Sequence, residues 1–282
     1  MTGFINVNKA EGVSSAREVN IIKRLTHTPC GHMGTLDPMA SGVLPVAVGN
    51  ACRLFDYFLT KKKTYTATFD FGADYDTLDV TGSLISEGSR VPSESEIISV
   101  LPSLCGSVMQ IPPKYSAKKI NGRRGYELAR AGEDFDVPAK RVEIDSVELI
   151  GRLSENSFKF RIECGGGTYV RSICRDMAEK LGTVAAMSAL VREKSGIFVI
   201  DGAISTDRLT EKNVNSYIIP TDSVLPYESI YPQGAEAKKL FNGVAVESRL
   251  TDGLYKIYSP DGIFYGLAEK KEGFLKVRTK LC

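Results

Sequence analysis

The sequence is poor in the residues that build metal and redox centres. It contains only two histidines, His27 and His32, and its six cysteines, at positions 30, 52, 105, 164, 174 and 282, include no CxxC pair. A zinc site needs three or four closely placed sulfur or imidazole ligands, which are hard to assemble from this set. We therefore expect reduced, mostly buried thiols in a reducing compartment, and no metal or redox cofactor.

Long apolar runs are missing as well. No stretch approaches the roughly 18 apolar residues of a membrane span, and the N-terminus lacks the basic-then-apolar pattern of a signal peptide. Of the 282 residues, 43% are hydrophobic and 25% are charged, which is ordinary for a globular protein. These features predict a cytoplasmic protein with no membrane partner.

The charge is nearly balanced, but the basic residues are unevenly placed. The formal net charge is only +2, and phosphate contacts depend on a local basic surface rather than on the sum. The richest stretch runs from Lys114 to Arg130, with Tyr115 and Tyr126 interleaved and one acid, Glu127. Such a run usually marks a solvated helix face, whereas its glycines favour a mobile loop that orders on RNA. The candidate RNA-backbone contacts are Lys9, Lys61, Lys62, Lys63, Lys114, Lys118, Lys119, Arg123 and Arg124.

Hydrophobic periodicity and capping residues predict an α+β fold. Alternation of apolar and polar residues predicts strands at 3–9, 64–71, 142–150 and 157–163. Capping boxes at Ser15 and Ser93 predict helices that run to about Leu25 and to near Pro102. A third helix is expected over 171–181, with Gly182 as its C-terminal cap. Strands and helices do not alternate strictly, which favours α+β over a doubly wound sheet.

Two further features concern the sheet edge and the domain organisation. The apolar run 42–49 contains Pro45, which places it at a sheet edge or in an irregular strand. A boundary is expected between Pro226 and Pro232, after which short strand patterns, glycine turns and a modest basic excess follow. We therefore predict a domain at 1–228, with an RNA-binding insertion near 112–132, and a small β-rich module at 229–282.

The segment from Gly31 to Pro38 is the best candidate for chemistry. It places two glycines, His32, a threonine and Asp37 within eight residues. Glycines let a backbone bend or approach a ligand closely, and Pro38 pushes Asp37 towards an extended conformation. A carboxylate on such a loop can act as a nucleophile or a general base. An Asp-Pro pair more often caps a turn, so composition alone favours the turn.

The stretch GHMGTLDPMASGVLPVAVG, residues 31–49, resembles the signature of the TruB family of tRNA pseudouridine synthases. Other stretches resemble the same family in the same order: residues 12–15, 63–65, 71–72, 76–82, 111–117 and 167–173. The resemblance covers residues 3 to about 200, and the module at 229–282 looks like the PUA RNA-binding module common in the family. It implies a mixed, largely antiparallel catalytic sheet flanked by helices and loops.

The resemblance also implies a role for particular residues. Asp37 matches the catalytic aspartate, and Arg171 matches the arginine that pairs with it. His32 matches the histidine that packs into the RNA loop as the target base leaves its stack, and Tyr65 matches the tyrosine against the flipped uracil. Tyr169 and Leu190 match further residues of the pocket. The implied activity is isomerisation of the T-loop uridine of tRNA conventionally numbered 55.

The residue types suit this reaction chemically. Pseudouridine formation breaks an N-glycosidic bond, rotates the uracil and rejoins it through carbon, so no oxidation or hydrolysis calls for a cofactor. A base inside a folded loop must be flipped out, and aromatic side chains offer it stacking surfaces. An arginine at contact favours the charged form of Asp37. Without the resemblance, Tyr65 and Tyr169 fit half-buried strand positions equally well.

Some alternatives and departures stay open. The chain could mainly bind and refold tRNA, with catalysis dispensable, or it could act with a guide RNA and protein partners. The stretch 112–130 and the short C-terminal module favour a stand-alone enzyme that needs no obligatory protein partner.

The sequence departs from the family pattern at two positions. Val191 replaces the first arginine of the family's frequent Leu-Arg-Arg, which leaves one phosphate or pocket contact open. Met33 stands where a smaller or polar residue is more usual.

Overall fold

The computed structural model describes residues 2–88, 90–120 and 122–282. Its strands are β1 (Gly3–Lys9), β2 (Cys30–His32), β3 (Ser41–Val48), β4 (Lys63–Phe71), β5 (Ala73–Tyr75), β6 (Leu84–Glu87), β7 (Gly106–Gln110), β8 (Lys119–Ile120), β9 (Arg123–Arg124), β10 (Lys140–Arg152), β11 (Ser157–Cys164), β12 (Ala185–Ser195), β13 (Phe198–Val199), β14 (Ile219–Pro220), β15 (Ser229–Ile230), β16 (Val246–Glu247), β17 (Gly253–Tyr258), β18 (Phe264–Lys271) and β19 (Phe274–Lys280).

The α-helices are α1 (Ser15–Thr26), α2 (Phe55–Leu59), α3 (Glu94–Val100), α4 (Gly125–Arg130), α5 (Val170–Lys180) and α6 (Gly234–Phe241). Short 3-10 turns cover Gly49–Leu54, Leu101–Leu104, Ile200–Gly202, Thr206–Arg208, Val214–Tyr217 and Thr221–Val224. Within the described residues, no helix is both long and apolar enough to cross a membrane. The fold is α+β, as the sequence predicts.

A ten-stranded mixed sheet forms the centre of the described chain. Its main order is β14-β1-β3-β12-β4-β11-β10-β7, with β2 beside β3 and β13 beside β12. Every pairing is antiparallel except that of β12 with β3. The main core includes sheet residues such as Phe69 and Phe160 together with Ile22 of α1 and Met177 of α5. The helices thus cover apolar sheet positions and leave other sheet residues to line a site.

The predicted strands and helices of this sheet are confirmed with small shifts of their ends. The predicted cap of α1 was wrong by one residue, because the Ser14 side chain accepts the hydrogen bond from the Arg17 backbone N–H. Ser15 instead binds the backbone of Leu36. The capping box at Ser93 is present.

The prediction that Pro45 marks a sheet edge or an irregular strand was wrong. β3 lies inside the sheet, between β1 and β12. β12 pairs only with Ser41 and Gly42, whereas β2 pairs with Val46 to Val48. Pro45 lies between the residues of β3 that pair with β12 and those that pair with β2. Its missing N–H therefore removes no hydrogen bond from either pairing. Its carbonyl still accepts a hydrogen bond from the Met33 backbone N–H at 2.8 Å.

The C-terminal residues form a second, five-stranded sheet in the order β15-β17-β18-β19-β16. Its own core contains Leu240 of α6 with Tyr255 and Ile257. Leu267 and Leu281 pack instead into a cluster that includes Phe4. The β-rich character predicted for this part of the chain is therefore confirmed, while the proposed boundary at residue 228 stays a prediction.

Gly42 fixes the close approach of β3 and β12. Its φ is +99°, and a Cβ built on it would lie 2.4 Å from the backbone oxygen of Arg192. Gly42→Ala therefore combines left-handed strain of about 1–3 kcal/mol with overpacking of about 1–3 kcal/mol. Gly106 has a φ of +92° with nothing within 4 Å, so Gly106→Ala isolates the strain alone. Urea unfolding should show the larger loss for Gly42→Ala, and equal losses would contradict the close contact.

Candidate active site

Five of the six residues predicted for catalysis or base binding meet around one cavity of about 400 Å³: Asp37, Tyr65, Tyr169, Arg171 and Leu190. Asp37 lies on the loop between β2 and β3, and Arg171 lies in the first turn of α5. Tyr65 of β4 and Leu190 of β12 share one sheet face, because Tyr65 pairs with Arg192 and Ala67 pairs with Leu190. The sheet register therefore places the aromatic ring and the leucine side by side.

The two tyrosines suit a stacking role. Burial raises the pKa of Tyr65 and of Tyr169 above the usual value, so both phenols stay neutral at neutral pH. Tyr169 is also the N-cap residue of α5, and its backbone N–H and C=O bind the amide side chain of Gln110 at 2.8 and 3.1 Å. A neutral ring on a fixed backbone is a suitable surface for an uncharged base.

Arg171 is the centre of a buried ion network. One of its terminal nitrogens lies 2.8 Å from Asp37 Oδ2, and the other lies 3.3 Å from Asp79 Oδ2. The same nitrogens donate to the carbonyls of Thr77 and Tyr115 at 2.8 and 3.1 Å. The Arg171 side chain is 5% exposed, whereas that of Asp37 is 35% exposed. The network therefore holds the Asp37 carboxylate at the cavity without burying it.

Asp79 was given no role by the sequence reasoning, although it lies in a stretch that carried the resemblance. It is buried, and its Oδ1 accepts hydrogen bonds from the Thr81 backbone N–H at 3.0 Å and from the hydroxyls of Thr77 and Thr81. Leu78 beside it adopts a left-handed φ of +62°. Asp79 thus shapes the turn whose carbonyl, at Thr77, also binds Arg171. Only the fold brings these groups to Asp37.

The loop that carries Asp37 is held along its whole length by other elements. Arg192 of β12 donates to the Gly34 and Thr35 carbonyls. Ser15 of α1 binds both backbone groups of Leu36, at 2.8 and 2.9 Å. The Pro38 carbonyl accepts from the Gly12 backbone N–H at 2.8 Å and from the Lys9 ammonium at 3.2 Å. Such restraint preorganises a catalytic group before substrate arrives.

His32 faces a second cavity, of about 590 Å³, which shares Asp37 and Arg171 with the first. Burial lowers the pKa of His32, and the charge of Arg192 lowers it further. The imidazole is therefore neutral at neutral pH. Its buried Nδ1 has no hydrogen-bond partner among the described residues. His32 and Tyr65 thus line different cavities, and Asp37 lines both.

Lys9 and Lys63 correct the predicted set of RNA-backbone contacts. Both side chains are buried. The Lys9 ammonium binds the carbonyls of Ala10, Val13 and Pro38, and the Lys63 ammonium binds those of Phe58, Leu59 and Lys61. Burial lowers the pKa of each to about 8. These lysines bind the protein's own backbone and do not lie at the outer surface, although Lys63 also lines the first cavity.

The other basic residues predicted to contact the RNA backbone lie at or near the surface, and most of them bind a neighbouring side chain or carbonyl. Lys62 pairs with Asp145 at 2.7 Å, Lys114 with Asp134 at 3.0 Å and Arg123 with Glu133 at 2.7 Å. Lys118 donates to the Pro138 carbonyl at 2.9 Å, Lys61 lies over the Tyr57 ring, and Lys119 and Arg124 are exposed. Arg124 also lines the second cavity. Exposed ion pairs are worth little, so phosphate can replace the acids at low cost.

Between Lys114 and Arg130, the described residues form neither a plain helix nor an irregular loop. Strands β8 and β9 pair antiparallel, and the short helix α4 follows directly. Arg124 and Arg130 lie 5.9 and 5.7 Å from the Tyr126 ring centroid. Tyr126 and Arg130 line the second cavity with His32. The stretch therefore forms one wall of the candidate site.

The cysteines show no arrangement suited to a metal. All six are free: Cys164 and Cys174 are buried, Cys282 is exposed and the other three are half-buried. Within the described residues, no three His, Cys, Asp or Glu side chains are grouped so as to hold a metal ion. Asp37 is the one acid among the described residues that line the first cavity.

Comparison with known proteins identifies close relatives. The family model "TruB family pseudouridylate synthase (N terminal domain)" matches residues 23–170. The tRNA pseudouridine synthase B of Clostridium novyi (strain NT) is 38% identical over 289 residues, covering 100% of both chains. That of Caldicellulosiruptor saccharolyticus is 39% identical, covering 97% of this chain and 96% of the other.

A solved structure agrees with the fold. A chain of a Cbf5-Nop10-Gar1 complex superposes with a TM-score of 0.73 at 23% identity, covering 99% of this chain and 85% of that chain. At this identity the likeness bears on the fold alone. It matches the α+β architecture along nearly the whole chain.

Proposed function

Because the chain belongs to the TruB family of pseudouridylate synthases, we propose that it converts uridine 55 in the T loop of tRNA to pseudouridine, with Asp37 as the nucleophile. The chain is a pseudouridine synthase, an isomerase. Its full-length relatives carry the name tRNA pseudouridine synthase B, which supports tRNA as the substrate. The observation that carries the proposal is the Asp37 carboxylate, held at 2.8 Å by Arg171 and open to a cavity lined by Tyr65 and Tyr169.

The cavity geometry suggests how the target nucleotide is bound. A uracil flipped out of the T loop enters the cavity of about 400 Å³ and stacks on Tyr65, with Leu190 beside it. His32 occupies the space on the RNA side that the base has left. Unstacking a base costs a few kcal/mol, and such aromatic and apolar contacts offset that cost. Tyr169 closes the cavity near the helix that carries Arg171.

The reaction is balanced without a cofactor. The N1–C1′ bond breaks, a C5–C1′ bond forms, C5 loses its proton and N1 gains one. Arg171 binds Asp37 Oδ2, which leaves Oδ1 for the substrate. A carboxylate so placed serves two routes: addition to the uracil ring, or proton removal from the sugar to give a glycal-like intermediate. In both routes Arg171 keeps Asp37 ionised and aimed.

The RNA backbone is bound by basic groups around the cavities. Lys61, Lys62, Lys114, Lys118, Lys119, Arg123 and Arg124 are the candidates that remain. The β-rich C-terminal part, with Lys276, Arg278 and Lys280 on its last strand, extends this surface as a PUA-like module. Counterion release then makes affinity fall with added salt. Neither a guide RNA nor a protein partner is needed in this account.

A bare T stem-loop tests the proposal. Isomerisation expels the C5 proton, so a stem-loop containing 5-tritiated uridine should release one tritium equivalent per RNA when the purified protein is added alone. The matched control carries cytidine in place of uridine 55 and should release none. Absence of release from the uridine substrate, or undiminished release from the control, would contradict the proposed target.

A further inference from the structure

Arg192 is a buried arginine with no carboxylate partner. It lies on β12 at 1% exposure, and no acid of the described chain lies within the 4.0 Å of an ion pair. Its Nε donates to the Val43 carbonyl at 2.7 Å, while its terminal nitrogens donate to Thr35 at 3.3 Å and Gly34 at 3.0 Å. All three carbonyls belong to the Asp37 loop or to the strand that follows it.

Burying the Arg192 charge without a carboxylate partner costs free energy, which its hydrogen bonds to carbonyls must offset. A buried charge loses its hydration, and the usual compensation is a carboxylate. The charge of Arg192 is still felt by its neighbours: after burial, it is the next cause that lowers the pKa of His32 and of Lys63. An ammonium can also bind three carbonyls, as Lys9 and Lys63 show, but it binds them from a single nitrogen. Arg192 binds its three carbonyls from three separate nitrogens in the fixed plane of the guanidinium. The geometry therefore indicates that Arg192 is buried in order to bind the carbonyls of Gly34, Thr35 and Val43.

The backbone of Arg192 is itself well fixed. Its oxygen lies 2.4 Å from where a Gly42 Cβ would be, so β3 and β12 are in close contact at this point. On the same sheet face, Arg192 pairs across the strands with Tyr65. Arg192 therefore lies beside Tyr65 in the sheet and binds the Asp37 loop at Gly34 and Thr35.

We propose that Arg192 is a positioning residue that holds the Asp37 loop at the distance the reaction requires. Arg171 holds the carboxylate end of Asp37, and Arg192 holds the backbone that leads to it. Without Arg192, Gly34 and Thr35 lose their anchor and Asp37 shifts relative to a base stacked on Tyr65. A shift of about 1 Å can cost about 100-fold in rate. This inference rests on the proposed function.

The test compares Arg192→Lys and Arg192→Ala with wild type in single-turnover tritium release from T stem-loop RNA. Arg192→Lys keeps the charge but offers one nitrogen in place of the three that bind Val43, Thr35 and Gly34, so its rate should fall at least about 30-fold while the RNA Kd stays within about threefold. In Arg192→Ala, millimolar guanidinium should restore the rate at least about tenfold, because it can occupy the vacated space. The same concentration of urea should not. Arg161→Ala is the control, since Arg161 of β11 is 48% exposed and pairs with Glu193 of β12 across the intervening strand β4.

The outcomes separate cleanly. If wild type releases no tritium, the proposed function fails. If wild type is active and folded Arg192→Lys matches it, the positioning role is overturned. If circular dichroism shows Arg192→Ala to be unfolded, the Lys variant alone decides. A folded Ala variant that guanidinium does not rescue, or that urea rescues equally, also overturns the role.

Discussion

Asp37→Asn should abolish pseudouridine formation and leave tRNA binding nearly intact. Asparagine keeps the size of the side chain but removes the charge and the nucleophile, so a loss of at least about 10³-fold is expected. The fold should survive, because Arg171 retains Asp79 and two carbonyls as partners. Single-turnover tritium release gives the rate, and filter binding gives the Kd of the tRNA.

The control for this variant is Asp207→Asn. Asp207 is exposed and lies in a short turn between β13 and β14, outside the candidate site. It should have wild-type rate and affinity. Measurable multiple turnover by Asp37→Asn would remove Asp37 from the reaction, whereas loss of tRNA binding would mean that its charge mainly holds the site together.

Arg171→Met should damage both the rate and the stability. It leaves Asp79 buried with its arginine partner gone, and an uncompensated buried charge costs about 3–5 kcal/mol. It also frees the Asp37 carboxylate, so the rate should fall at least about 100-fold. Urea unfolding measures the first effect and tritium release measures the second.

Two further variants separate these effects. Arg175→Met removes the next arginine along α5, whose acid partners Asp176 and Glu179 lie nearer the surface, so it should cost only about 0–1 kcal/mol. The double variant Arg171→Met/Asp79→Asn removes both buried charges and should regain part of the stability but not the rate. If the double variant recovers the rate as well, Arg171 acts only through the stability of the fold.

The elements that the sequence predicted are those whose information is local. The alternation of apolar and polar residues over 64–71 indicates a strand with one buried face, and it correctly predicted β4, which contains Tyr65. The error at Pro45 had a non-local cause, since whether a strand tolerates proline depends on which partner lies beside it. The adjacent Ser14 and Ser15 could not be told apart either, because the second binds Leu36, which is 21 residues away.

The residues of the site also differ in how far local sequence indicates their contacts. Asp37, Arg171 and the two tyrosines were found through a family resemblance, and the structure brings them to one cavity. Arg192 was passed over because its contact with Gly34 spans 158 positions, and nothing in the local sequence indicates that contact. Lys9 and Lys63 were misplaced because lysine is usually exposed, and only the fold shows their ammonium groups bound to carbonyls.

The most direct measurement maps pseudouridine at base resolution in an unmodified tRNA pool treated with this protein alone. We predict a single new modification in each reactive tRNA, at uridine 55 of the T loop, which Asp37→Asn fails to make. Modification elsewhere with uridine 55 untouched, or none at all under conditions where the protein binds tRNA, would contradict the account.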